Sequence, residues 1–141
     1  MKTRIVILLI VTFAFAVSLY AQDSLKKFST NERRIAFAKK NIIMGLRSGN
    51  TGLMEASLIL IAKIKMRFPE INITEVKTVV DSIAFTNSSY ALQYKAYLAS
   101  NICAYPEWFV IDNTLYNLET DWFFASVARR LQQKMLATEP S

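Results

Sequence analysis

The chain has 141 residues, of which 52% are hydrophobic and 20% charged, with a formal charge of +6, a single cysteine and no histidine. A length of this order makes one domain. The missing histidine excludes Ser-His-Asp and Cys-His nucleophile arrangements and removes the commonest metal ligand. One cysteine closes no internal disulfide and builds no structural zinc site, so the fold must rest on apolar burial.

The first 21 residues read as an export signal. Lys2 and Arg4 open the chain, an apolar run follows from Ile5 to Val17, and Ser18-Leu19-Tyr20-Ala21 supplies a small residue at the cut. Cleavage near Ala21 leaves residues 22–141 as one domain, periplasmic or secreted. The alternative is an N-terminal membrane anchor. Against it, Ile5 to Ala21 as a helix spans about 25 Å at ~1.5 Å per residue, short of a hydrocarbon core of about 30 Å. Removing residues 1–21 lowers the formal charge to +4, too little for a dedicated nucleic-acid binder, so no nucleic-acid partner is expected. An anionic envelope surface is compatible with that charge.

Glycine and proline occur three times each, and the stretches between them carry apolar residues at helical spacing. The expected fold is all-α. Ser29-Thr30-Asn31-Glu32 fits a capping box for a first helix. Ile35, Ala38, Ile42 and Leu46 lie on one face of that helix, and Gly49 supplies a left-handed terminus. Asn50 caps a second helix with a stripe of Leu53, Ala56, Ser57, Leu60, Ile61 and Ile64. Met54, Leu58 and Ile59 widen the stripe, which makes this helix the expected centre of the fold. Pro69 stops it.

Asn72-Ile73-Thr74-Glu75 repeats the capping box, with Asn72 as cap, before a helix facing inward through Val76, Val79, Val80 and Ile83. Asn87-Ser88-Ser89 mark a loop and cap. A fourth helix follows with Ala91, Tyr94, Leu98 and Ile102 on its inner side, halted by Pro106. An aromatic connector, PEWFVIDNTLYNLET, leads to a last helix over about 120–137, whose expected inner face is Phe124, Val127, Ala128, Leu131 and Met135. Both Asn72-Ile73-Thr74 and Asn87-Ser88-Ser89 match a glycosylation sequon, but both sit where caps are needed.

Sliding the chain by 37 residues superposes Asn50 on Asn87, Ala62 on Ala99, and Pro69-Glu70 on Pro106-Glu107. Leu46 then meets Ile83, Ile61 meets Leu98, and Phe68 meets Tyr105. Each unit is a shorter helix, an Asn-containing turn, a longer helix and a Pro-Glu stop. This pattern resembles the HEAT/armadillo class of helical repeats, in which units of about 40 residues stack side by side. The resemblance implies two stacked antiparallel hairpins, residues 31–70 and 72–107, with the helix at 120–137 as a cap. The segments YKAYLASNICAYPEWF and DWFFASVARRLQQKML are also similar to small exported helical-repeat proteins of the Bacteroidota type, a likeness that implies no activity.

No Gly-rich phosphate loop and no Gly-x-Ser-x-Gly elbow occur, and no cofactor motif is present. The carboxylates Glu70, Glu75, Asp81, Glu107, Asp112, Glu119 and Asp121 read as caps and solvated charges, and no enzyme activity is expected. Cys103 reads as a small buried hydrophobe. Two surfaces stand out as candidate partner sites. Lys26, Arg33, Lys40 and Arg47 recur every seven residues, a basic ridge suited to an acidic protein surface or anionic headgroups and reinforced by Lys39. Tyr105, Trp108, Phe109, Tyr116, Trp122, Phe123 and Phe124 crowd the C-terminal third. Most belong in a core, while Trp108 and Trp122 suit a groove for a peptide or apolar ligand. The expected function is that of an interaction or structural module binding a protein partner. A small-ligand binder is the second reading.

Overall fold

The computed structural model describes residues 31–109, 115 and 118–138, and every regular element among them is helical. The export signal, the capping box from Ser29, Lys26, Asp112 and Tyr116 lie outside the described residues. The chain falls into two compact units, Met1–Ala38 and Lys39–Ser141. The boundary lies within helix α1, residues 31–46. In the first unit residues 31–38 are helical, and Ile35 and Phe37 are exposed.

The second unit holds the end of α1, α2 (Thr51–Arg67), α3 (Thr74–Thr86), α4 (Tyr90–Ala104), a 3-10 turn (Pro106–Trp108) and α5 (Thr120–Thr138). Gly49 stands between α1 and α2 with φ +71°, a backbone region that costs residues with a Cβ about 1 kcal/mol or more. Next to it the Asn50 side chain accepts the Leu53 amide at 3.0 Å and caps α2. Past the other end of α2, Lys65 Nζ donates to the carbonyl oxygens of Pro69 and Ile71 and ties the loop that follows back onto the helix. The α3 start is shifted from the sequence expectation. Ile73, not Asn72, holds the cap position, and Asn72 Oδ1 accepts from the Thr74 amide at 3.0 Å and the Thr74 hydroxyl at 2.9 Å. An Asx turn has replaced the capping box. Ser89 caps α4, accepting from the Leu92 amide, while Asn87 Oδ1 accepts from the Ser89 amide.

One hydrophobic core runs through this unit, and α4 lies at its centre, packed against α2, α3, α5 and the 3-10 turn. Leu92, Ala96, Leu98, Ala99, Ile102 and Cys103 are the buried residues of α4. The expected inner positions Ala91 and Tyr94 are exposed. In α2 the stripe is rotated from the expected one: Met54, Ser57, Leu58, Ile61, Ala62 and Met66 are buried, whereas Leu53, Ala56 and Leu60 face solvent. Apolar residues on more than one face leave the orientation of α2 to its neighbours: Ser57 of the buried row lies against Gly45 of α1, and α4 packs on the same helix. For α3 the expected face, Val76, Val79, Val80 and Ile83, is the buried one. In α5, Phe123, Phe124, Val127 and Leu131 are buried, but Met135 is exposed, against expectation, together with Leu136.

Gly45 of α1 lies so close to α2 that a Cβ there would fall on Ser57 Oγ, with the Leu53 carbonyl oxygen 3.6 Å away. Ser57 can swing aside for a methyl group but not for a branched side chain. Gly49→Ala, with open space around it, should lower the urea midpoint by an amount worth about 1 kcal/mol. Gly45→Leu should cost about 2–3 kcal/mol or more by overpacking. Equal losses at the two sites in urea titrations would contradict the close approach at Gly45.

Candidate functional site

Three groups of side chains are candidates, and the fold treats them differently. Arg33, in the first unit, is exposed. Lys40 and Arg47, in the second, are exposed as well, and the Arg47 amide closes the end of α1 on the Ile43 carbonyl at 3.0 Å. Lys39 is half-buried and adds little to an exposed basic surface.

At the aromatic end, Pro106 starts the 3-10 turn, and its fixed φ suits that first position. The turn brings Trp108 over Tyr105, the rings stacked at 4.5 Å with 12° between their planes. Trp108 is half-buried by this stacking. Phe109 follows, wholly buried, and its carbonyl accepts from Arg130 Nη1 of α5 at 3.4 Å. Phe123 and Phe124 meet edge to face at 5.3 Å inside the core. Trp122 is 68% exposed. The two tryptophans therefore divide between a stacked pair and a solvated ring.

A groove among the described residues lies elsewhere, between α4 and α5. Tyr94, Tyr97 and Leu98 form one wall, and Ala125, Ala128, Arg129, Leu131, Gln132, Met135 and Leu136 form the other, around a volume of about 630 Å³. Neither Trp108 nor Trp122 lines it. Leu98 and Leu131 make its buried floor, while Tyr94, Tyr97, Met135 and Leu136 stand exposed on its sides. The sequence signal for it was present but pointed inward. Helical periodicity counts Tyr94 and Met135 as core, although both are exposed along the groove.

Two polar arrangements join the helices. Lys95 of α4 reaches Glu55 of α2 at 3.0 Å and Asp121 of α5 at 3.2 Å, with the Phe124 ring beneath it. Burial alone would lower its pKa, but the hydrogen bonds and charges of Glu55 and Asp121 outweigh that and hold it above its ordinary value. On the other side of α4, Ser100 donates to Asp81 of α3, whose second oxygen pairs with Lys77 at 2.7 Å. Among the described residues no cluster of three or more His, Cys, Asp or Glu side chains forms, and no helix is long and apolar enough to cross a membrane. No protein-family model, curated protein or solved structure matches the chain.

Cys103 is buried, and burial pushes its thiol up to about 12, with Lys77 and Lys65 pulling weakly the other way. The thiolate, the reactive form, is therefore scarce at neutral pH. Dithionitrobenzoate should label the native protein far more slowly than the urea-unfolded chain, and prompt labelling of the native protein would contradict this burial. The thiol titrates near 9.0 in the free state and near 12 in the fold. Its stabilising contribution is thus whole below about pH 9 and lost as pH rises towards 12, and the raised Lys95 works in the same direction. Urea midpoints should fall on the alkaline side, and Cys103→Ala should flatten that fall.

Proposed function

We propose that the chain is an exported helical-repeat module, freed of residues 1–21, that binds a protein partner through its surface. Its architecture in this reading is two HEAT-like hairpins, residues 31–70 and 72–107, closed by α5. The observation that carries the repeat is a pair of matched helix ends. Phe68 ends α2 with φ −131° and ψ 72°, and Tyr105 ends α4 with φ −131° and ψ 59°. In each, the amide of the end residue donates to the carbonyl four residues back. Its own carbonyl accepts from the amide three residues on, at 3.1 Å for Ile71 and 3.0 Å for Trp108. Leu46 and Ile83, Ile61 and Leu98, and Ala62 and Ala99 are buried in both copies. The equivalence weakens toward the start of each longer helix, because Asn50 caps α2 directly whereas Ser89, not Asn87, caps α4.

The binding function rests on what the helices leave outside. Lys40 and Arg47 present cations, and the walls of the α4–α5 groove present large apolar side chains, to solvent. Exposed apolar surface around a concave site marks a contact for another molecule. The groove favours a polypeptide over a small apolar ligand, since it is open to solvent and would leave much of a small ligand uncovered.

Two measurements test the reading. The mass of the protein recovered from its native envelope fraction should match a chain starting near Gln22, and the full mass of residues 1–141 would argue for the membrane anchor instead. Affinity capture from that fraction should retain a specific protein. The triple variant Arg33→Glu, Lys40→Glu, Arg47→Glu or the groove variant Leu136→Glu should release it. Retention of nothing beyond bare matrix, or of anionic lipid alone, would defeat the module reading.

A further inference from the structure

The groove between α4 and α5 has a chemistry of its own. Its walls are two helices, so its shape is the furrow that a third helix fills by ridges-into-grooves packing. The exposed parts of those walls are Tyr94 and Tyr97 on α4 and Met135 and Leu136 on α5. Methionine and tyrosine at a surface adapt to an apolar partner while keeping a polar edge wet. Charge is lopsided. Across α4 and α5 one acidic side chain, Asp121, stands with four basic ones, Lys95, Arg129, Arg130 and Lys134. Asp121 and Lys95 are joined to each other at the start of α5. Along the groove itself the charged lining residue is Arg129, with Gln132 one turn on. No carboxylate lines it.

Resting on the reading of the chain as a protein-binding module, we propose that this groove receives an acidic amphipathic helix from a partner protein. The apolar stripe of that helix seats on Leu98 and Leu131 between Tyr94, Tyr97, Met135 and Leu136, and a carboxylate on its flank meets the Arg129 guanidinium. An Arg–carboxylate pair of this kind fixes register as well as charge. A helix-in-groove contact reads its partner through apolar anchors at i, i+3, i+4 and i+7. A lipid surface fits less well, because peripheral membrane binding uses a convex apolar face, and here the apolar side chains line a concavity.

The test uses the mature protein and a fluorescein-labelled designed peptide of about five helical turns, with leucines at that spacing and flanking glutamates. A second peptide carries lysines in place of the glutamates. Anisotropy should show saturable binding of the acidic peptide and at least about tenfold weaker binding of the basic one. Leu136→Glu should weaken the acidic peptide by about tenfold or more, and Arg129→Glu should invert the preference between peptides. Both residues are exposed, so thermal melts of the variants should match the parent.

The proposal is overturned if neither peptide binds at concentrations up to about 1 mM, or if the two bind alike in all variants. It is also overturned if only vesicles of anionic phospholipid bind in a Leu136-dependent way, or if Leu136→Glu merely dissolves a self-association seen by sedimentation. A partner captured from the envelope fraction that survives Leu136→Glu and Arg129→Glu, yet is lost with the Arg33, Lys40 and Arg47 reversals, sinks the groove and leaves the module standing.

Discussion

The second unit depends on the burial of α4 from several directions at once. A helix packed on two or three sides must be apolar around most of its circumference and narrow where neighbours cross. α4 meets both demands with Leu98 and Ile102 for contact area and Ala96 and Ala99 for closeness. Ala62 on α2, equally buried, gives the opposing small surface. Each large buried side chain contributes about 1.5–3 kcal/mol by leaving water, and truncating one such as Leu98 would cost about 2–5 kcal/mol. Lys95 works on top of this packing. Its two carboxylate partners sit on different helices, so the ion pairs fix orientation across α2, α4 and α5 more than they add net stability. The Asp121 side is exposed and screened, and the Glu55 side is the more sheltered.

Much of this was legible in the residues, and the failures have physical reasons. The buried face of α3 is the expected one, because Lys77, Thr78 and Ser82 set its valines and Ile83 apart, whereas its start is not, since Asn72 makes an Asx turn and Ile73 takes the cap position. α2 was placed correctly and rotated wrongly. Leu53, Ile59 and Leu60 add apolar residues to other faces, and only packing against its neighbours, α1 at Ser57 among them, fixes the rotation. The expected centre of the fold moved from α2 to α4 for the same cause: hydrophobicity all round a helix marks burial only where neighbours exist to supply it. Tyr94 and Met135 were assigned inward by period, and both face the groove. Amphipathic or pliable side chains satisfy the inner and the outer position alike, so spacing cannot separate them.

The candidate surfaces were legible to different degrees. Lys40 and Arg47 are exposed as seven-residue spacing implies. Trp108 and Trp122 were grouped by nearness in sequence, but a stacking partner on one side and open solvent on the other separate their environments. The groove was missed because it belongs to no single segment. It is lined by two helices that are far apart in sequence, with Tyr94 and Tyr97 from α4 and Met135 and Leu136 from α5.

The sealed thiol of Cys103 has a consequence for where this fold can exist. With no cross-link to be broken and its sulfur withheld from electron exchange, the folded unit is indifferent to the redox potential around it. It should reach the same structure in a glutathione-rich cytosol as in an oxidising extracellular space.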